Sequence, residues 1–220
     1  MSLNINGTTG ISGVDASVSA PALTGTDSNT GISFPAADTI KFSTGGVERM
    51  AITNSGITGI SGGKIGQVLS AAKTDTFSRN SSSFGDITGI SVDITPAATT
   101  SKVLVLVDLK VGAEHGDGDF HLRLVRGSTV IYALTTADNR KNGFAGRSKF
   151  QLDNGNGEAI MVQASAVFLD SPSTTSATTY KVQVANVGGR LVYINRQGLD
   201  SNAVNIPRGA SSITVMEVLQ

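Results

Sequence analysis

The sequence predicts an all-β protein in which an extended β-segment precedes a jelly-roll-like β-sandwich. Three observations support this fold class. Apolar and polar side chains alternate over many short stretches, which is the pattern of half-buried strands. Turn residues are frequent, with 26 glycines among 220 residues. No stretch of a dozen residues keeps the apolar spacing of three and four that an amphipathic helix needs, so we expect little helix.

The composition argues against several classes of function. Lys plus Arg and Asp plus Glu each number 17, which gives a formal net charge of zero, and we find no basic stripe that would neutralise a series of phosphates. We therefore expect no binding to nucleic acid. The chain has no cysteine, which excludes disulfides, thiolate catalysis and cysteine-ligated metal sites.

The N-terminus and the apolar runs argue against a membrane protein. The first residues, Met-Ser-Leu-Asn-Ile-Asn-Gly, have neither the basic nor the apolar region of a signal peptide, and the longest apolar run covers only residues 103–107. A transmembrane helix needs about 20 apolar residues. We therefore expect neither a signal peptide nor membrane insertion.

The tetrapeptide Thr-Gly-Ile-Ser occurs four times, at residues 9–12, 30–33, 58–61 and 88–91. The spacings are unequal, whereas a solenoid repeats at a fixed period. We interpret the tetrapeptide as a recurring turn and strand start in an elongated β-structure. Chance recurrence, in a chain rich in these four residue types, is the alternative.

Residues 1–63 contain only 16 large apolar side chains. Such a segment is either disordered or buries these side chains against copies of itself, because so few cannot offset the entropy cost of ordering a monomeric domain. We favour self-association, since Ile40 and Phe42 precede a Thr-Gly-Gly turn and Met50 and Ile52 follow it, as in a β-hairpin. An isolated hairpin is marginal in water. Packing of these four side chains in a homotrimer is therefore predicted.

Residues 64–220 have the short alternations and turns of a β-sandwich. The predicted strands are residues 102–111, 119–126, 129–134, 158–170, 178–187, 191–194 and 213–219. The first is expected to be central and buried on both faces, because Leu104 and Leu106 alternate with valines. Residues 178–187 and 191–194 are expected to run as outgoing and returning strands around Gly188 and Gly189.

Residues 21–53 resemble a segment that recurs in tail-fibre and other virion proteins of marine phages, including those of the cyanophage kind. The resemblance is carried by Asn-Thr-Gly-Ile at 29–32, Pro-Ala-Ala-Asp-Thr-Ile at 35–40, Phe-Ser-Thr at 42–44 and Glu-Arg-Met at 48–50. Residues 64–220 resemble the C-terminal heads of such proteins, of the C1q or tumour-necrosis-factor kind. There the carriers are Gly-Lys-Ile at 63–65, the strand at 101–107 and the closing residues 211–218.

This resemblance implies a homotrimeric virion protein, assembled in the host cytoplasm and attached to another virion protein through residues 1–63. The head at residues 64–220 would then contact the host surface, such as a glycan or lipopolysaccharide. A capsid decoration protein or a neck or head fibre without a receptor role remains an alternative. A glycan depolymerase using carboxylates among Asp117, Asp119, Asp153 and Glu158 is a further one, although such enzymes usually need a longer groove.

One loop has the residue types of a metal site. His115, Asp117, Asp119 and His121 lie within a glycine-rich stretch, and carboxylates or imidazoles there would suit calcium or a transition metal. The alternative, which we favour, is a solvated turn, because the spacing matches no standard site. We expect no metal, no cofactor and no enzymatic activity, since the sequence also lacks a Gly-x-Ser-x-Gly elbow and a phosphate-binding loop.

Candidate receptor-binding residues are Tyr132, Phe144, Tyr193, Asn195 and Arg196. Aromatic rings stack on sugar rings, while amide and guanidinium groups bind sugar hydroxyls. Each of these side chains has an alternative role in packing. Tyr193 alternates with Leu191 as core residues do, and Phe144 would hold a loop.

Overall fold

The computed structural model describes residues 4–6, 10–12, 16–59, 64–115, 118–134, 139–149 and 160–220. Within these residues the structure consists of strands, turns and irregular segments, so the all-β prediction is confirmed. The chain divides into two compact units, unit 1 (Met1–Lys64) and unit 2 (Ile65–Gln220), whereas the sequence suggested a division between residues 63 and 64. Among the described residues, no helix is long and apolar enough to cross a membrane.

Unit 1 is built from antiparallel hairpins. The strands are β1 (Asn4–Asn6), β2 (Gly10–Ser12), β3 (Leu23–Thr24), β4 (Gly31–Ser33), β5 (Ile40–Thr44), β6 (Val47–Thr53) and β7 (Gly56–Thr58). β1 pairs with β2, and β3 to β7 form a five-stranded sheet in chain order. Such a meander needs only local turns, which suits a segment rich in Gly, Asn and Ser.

The predicted hairpin of unit 1 is present. β5 and β6 pair with Ile40 opposite Ile52 and Phe42 opposite Met50. The turn contains Gly45 and Gly46, both with positive φ, a conformation that costs glycine little.

The four Thr-Gly-Ile-Ser copies do not share one structural role. Gly10 and Gly31 begin strands β2 and β4, as expected. The third copy ends β7 at Thr58, and Gly59 follows with φ +78°. The fourth lies inside a strand of unit 2, where Gly89 has φ +86°. The prediction of a strand start is therefore correct for the first two copies and wrong for the fourth, while the last two residues of the third copy lie outside the described residues.

Unit 2 is a sandwich of two sheets. Its strands are β8 (Lys64–Lys73), β9 (Phe77–Arg79), β10 (Gly85–Ile94), β11 (Lys102–Ala113), β12 (Phe120–Arg126), β13 (Thr129–Tyr132), β14 (Ala145–Arg147), β15 (Met161–Asp170), β16 (Thr178–Ala185), β17 (Val192–Ile194) and β18 (Ser211–Leu219). One sheet has the order β10-β16-β12-β13, with β14 also on β12. The other has the order β8-β18-β11-β17-β9, with β15 on the free side of β11. Among the described strands, β15 pairs with β11 alone and so ends this sheet.

The core lies between the two sheets. Along β11 every second side chain from Val103 to Val111 is buried, and these meet Leu122 and Tyr180 from the other sheet in one cluster. Leu104 and Leu106 on the outer face are only half-buried. The expectation that β11 is buried on both faces is therefore wrong for the single chain.

The hairpin predicted around Gly188 and Gly189 is wrong. β16 was expected to return through the strand that follows Gly188 and Gly189, but β17 pairs with β11 and β9 in the opposite sheet. A glycine pair marks a turn, but it does not say to which sheet the chain returns.

A buried polar network joins the two sheets. The Tyr180 hydroxyl on β16 donates to Asp170 Oδ2 on β15 at 2.7 Å, and Arg126 Nη1 on β12 donates to the same oxygen at 2.7 Å. Burial and then the Asp170 carboxylate raise the pKa of Tyr180 well above its usual value of about 10. The hydroxyl therefore keeps its proton in the folded protein.

We predict an alkaline loss of stability that depends on Tyr180. Its folded pKa is raised above the unfolded value, so its contribution is complete below pH about 10 and falls above it by about 1.4 kcal/mol per pH unit. Chemical denaturation between pH 8 and 11 measures this slope. Tyr180→Phe should cost about 2 kcal/mol at pH 8 and reduce the slope. The control Tyr132→Phe removes a hydroxyl that makes none of the described hydrogen bonds and should stay within about 0.5 kcal/mol of wild type at pH 8; an equal cost of both variants would contradict this assignment.

Candidate interaction surfaces

One face of the unit 1 sheet is apolar and uncovered. The strand register places Leu23, Ile32, Phe42 and Met50 in one row and Ile40, Ile52 and Ile57 in the next. We call these seven side chains the unit 1 apolar face. None of them is buried, and Ile57 is 58% exposed. The four predicted packing residues, Ile40, Phe42, Met50 and Ile52, thus lie on one open surface.

The opposite face of this sheet is small, polar and covered. Ser33, Ser43 and Ala51 are buried there. A register irregularity between Phe42 and Ser43 places Glu48 opposite Ser43, where it pairs with Lys41 at 2.7 Å. The irregularity therefore moves a charge away from the unit 1 apolar face.

The six-stranded sheet of unit 2 also has an apolar outer face. Leu104 on β11 lies between Leu169 on β15 and Met216 on β18, and Leu106 lies beside Val167. We call these five side chains the unit 2 apolar face. Val167 is 65% exposed, although a β-branched residue in a strand usually packs against a neighbour.

The predicted metal loop is held by structural contacts. The Asp119 carboxylate accepts hydrogen bonds from the Val187 and Gly188 amides at 2.9–3.0 Å and lies 3.1 Å from Nε2 of His121. Asp119 thereby fixes the turn after β16, a role that the sequence did not suggest. Asp117 lies outside the described residues, and His115 is engaged in other contacts.

Within the described part of the chain, no group of three or more His, Asp or Glu side chains is arranged to hold a metal ion. Of the carboxylates considered for glycan cleavage, Asp117, Asp153 and Glu158 lie outside the described residues. Asp119 uses its oxygens to hold main-chain amides.

The structure brings Tyr132 and Phe144 together. Their rings are nearly parallel at 6° with centroids 5.9 Å apart, and Tyr132 also stacks on Phe168 at 4.8 Å. Tyr132 and Phe144 line a cavity of about 380 Å³ with Leu134. Part of this aromatic cluster packs on the core, while Tyr132 remains 36% exposed. A receptor-binding role for this pair stays a prediction.

The other three receptor candidates lie at the base of the loop between β17 and β18. Tyr193 is buried beneath the Arg196 guanidinium, which stacks 3.6 Å from its ring centroid. Asn195 is 0% exposed and adopts φ +66°. Its side-chain amide donates to the Lys73 and Asp75 carbonyls at 2.7 and 2.9 Å, and its side-chain oxygen accepts from Ser211. Both amide hydrogens of Asn195 are used by the protein.

The loop that follows Asn195 contains a braced ion group that the sequence gave no pattern to find. Arg208 binds both carboxylate oxygens of Asp200, at 2.9 and 2.8 Å, and Arg196 lies 3.6 Å from the same carboxylate. An isolated bridge between Arg196 and Arg208 closes the loop. The partners are separated by up to twelve positions and follow no motif, so only the folded loop reveals them.

Comparison with known proteins finds similarity to solved structures. No protein-family model and no curated protein matches the chain. A chain from the crystal structure of the infectious bursal disease virus VP2 subviral particle is similar over 83% of this chain and 47% of that chain, with 13% identity and a TM-score of 0.32. This chain therefore spans about half the length of the VP2 chain. A TM-score of this size describes a loose superposition, so function is argued below from the residues.

Asn195→Ala is expected to destabilise unit 2 by about 3 kcal/mol, because it leaves the buried Lys73 carbonyl and the part-buried Asp75 carbonyl without their amide donors and puts alanine in the left-handed region. Urea denaturation measures the change. Asn202→Ala, at an exposed position of the same loop, should stay within about 0.5 kcal/mol of wild type. Equal stability of the two variants would show that Asn195 does not hold the loop.

Proposed function

We propose that this protein is a non-enzymatic structural subunit of a bacteriophage virion, a homotrimeric fibre subunit. Residues 1–63 attach it to another virion protein, and unit 2 faces the host surface. The unit 1 apolar face is the observation that carries this proposal. The resemblance of residues 21–53 to virion fibre segments and the neutral, hydroxyl-rich composition support it.

The unit 1 apolar face needs a partner surface. None of the seven large side chains on this five-stranded sheet is fully buried, since three are exposed and four are half-buried. A monomeric protein rarely leaves so continuous an apolar patch uncovered. Burying each of them further would contribute on the order of 1 kcal/mol. The Lys41–Glu48 ion pair lies on the opposite face, so association here would bury no unpaired charge from that pair.

A closed ring of identical chains suits such a surface. Copies related by a rotation axis bury the same face in each subunit, and closure prevents the open-ended growth that an exposed sheet face otherwise promotes. Three sheets facing one axis supply the burial that unit 1 lacks as a single chain. The trimer is thus the assembly that best accounts for the thin apolar set of residues 1–63.

The unit 2 apolar face supports the same assembly. Leu104, Leu169 and Met216 form a row across three strands, and the neighbouring Val167 is largely exposed. An apolar face on each unit means that both parts of the chain gain stability from association.

The absence of catalysis is also part of the proposal. Asp119, the described member of the proposed carboxylate set, accepts hydrogen bonds from two main-chain amides and approaches His121. A carboxylate used in this way holds a turn, and its removal should affect stability before it affects any reaction.

The assembly is tested by the solution mass of the full chain, using light scattering. Wild type should give three times the chain mass of 22.5 kDa. Ile52→Asp combined with Ile57→Asp should lower that mass towards one chain, because the carboxylates would be buried at the axis. The control Val204→Asp, at a fully exposed position of unit 2, should remain trimeric. A wild-type mass of one chain would refute the trimer.

A further inference from the structure

The loop between β17 and β18 holds a preformed cavity. Its volume is about 440 Å³, and it is lined by Asp200, Ser201, Asn202, Ala203, Ile206 and Arg208. This size lies in the range of about 300–1,000 Å³ that small-molecule sites occupy. The lining differs from that of the Tyr132 cavity, because most of its side chains are polar or charged.

The shape of this cavity is fixed by contacts inside the loop. Arg208 makes two parallel hydrogen bonds to Asp200, and the Gly209 amide donates to the Asn195 carbonyl at 2.9 Å. The Ile206 amide donates to Ala203 at 3.0 Å. A loop braced in this way loses little further freedom when it binds a ligand.

The charges around the cavity favour an anion. The guanidinium groups of Arg196 and Arg208 share the carboxylate of Asp200, which leaves this group of three with one positive charge. The Arg208 side chain is 63% exposed, and its bonds to Asp200 use Nε and Nη2. Within the described contacts, Nη1 is not engaged, and a guanidinium N–H is a strong donor to carboxylate or phosphate oxygens.

The other lining residues suit a sugar. Ser201 and Asn202 are exposed, and hydroxyl and amide groups exchange hydrogen bonds with sugar hydroxyls. Ala203 and Ile206 offer apolar contact to the C–H face of a ring. A site that bound only a simple inorganic ion would not need Ser201, Asn202, Ala203 and Ile206 together.

We infer that this cavity binds an acidic sugar, with Arg208 contacting its carboxylate or phosphate group and Ser201 and Asn202 contacting its hydroxyls. The inference deepens the host-facing role of unit 2 and rests on it. The site is formed within one chain and within one unit, so free sugar should bind whether or not the trimer forms.

Calorimetric titration of the intact protein tests this site with three probes. These are tri-galacturonate, glucose 6-phosphate and the neutral maltotriose. The first two distinguish a carboxylate from a phosphate as the anionic group, and binding of either supports the inference. That binding should weaken as salt rises, because the contact is between charges at the surface. Binding of maltotriose as tight as that of the acidic probes would overturn the inference.

Asn202→Asp gives the sharper test. It puts a negative charge in the cavity lining, where Asn202 makes none of the described side-chain hydrogen bonds, and should weaken acidic-sugar binding by about fivefold or more. The matched control is Asn205→Asp, because Asn205 is exposed in the same loop but does not line the cavity. Equal weakening by both variants would overturn the assignment of the cavity.

The result can be separated from that of the proposed assembly. Light scattering on the same samples reports the number of chains, and titration reports the sugar. Absence of binding by all three probes to a trimeric protein would overturn this inference alone. Binding of an acidic probe to a monomeric protein would support the cavity and refute the trimer.

Discussion

The pairing of β11 along both of its edges determines the arrangement of unit 2. β15 pairs with it over ten positions on one side, while β18 and β17 share the other side. Side chains in a strand alternate between faces, so this register decides which residues enter the core and which face outward. A shift of one position would expose Val105 and bury Asp108. The same pairing that forms the core therefore also creates the unit 2 apolar face.

The end of the six-stranded sheet depends on this arrangement as well. The buried side-chain amide of Asn195 joins the turn after β8 to the start of β18. Its main-chain N–H donates to the Lys110 carbonyl of β11. The left-handed backbone at Asn195 then turns the chain into the loop that carries Asp200 and Arg208. The buried Asn195 thus positions the half-buried Asp200 and the exposed Arg208.

Sequence patterns were sufficient where the information is local. Alternation located the strands around Val105 and Leu122, and the hairpin of Ile40 and Ile52 followed from its turn. Patterns failed where the answer depends on distant partners. The pairing of β17 with β11 and the contact of Asp119 with the Val187 amide join positions far apart in the chain, and nothing in their local sequence records the partner.

The candidate surfaces show the same division. Four residues of the unit 1 apolar face were predicted because strand periodicity places them on one side. The burial of Asn195 was not predicted, and that of Tyr193 was only the alternative to a receptor-binding role, because an exposed and a buried tyrosine or asparagine look alike in sequence. The braced group of Arg196, Asp200 and Arg208 could be recognised only from the conformation of the loop.

The position of β15 at the edge of its sheet has a consequence for how the chain is made. A ten-residue strand with one edge that no described strand pairs with, and with Val167 and Leu169 exposed, is a template for any other extended chain. In the proposed assembly, ordered trimer formation by newly synthesised copies competes with aggregation through this edge, and both processes become faster as concentration rises. The yield of soluble protein is then set by the relative rates of these encounters, so slower synthesis at lower temperature favours the ordered product.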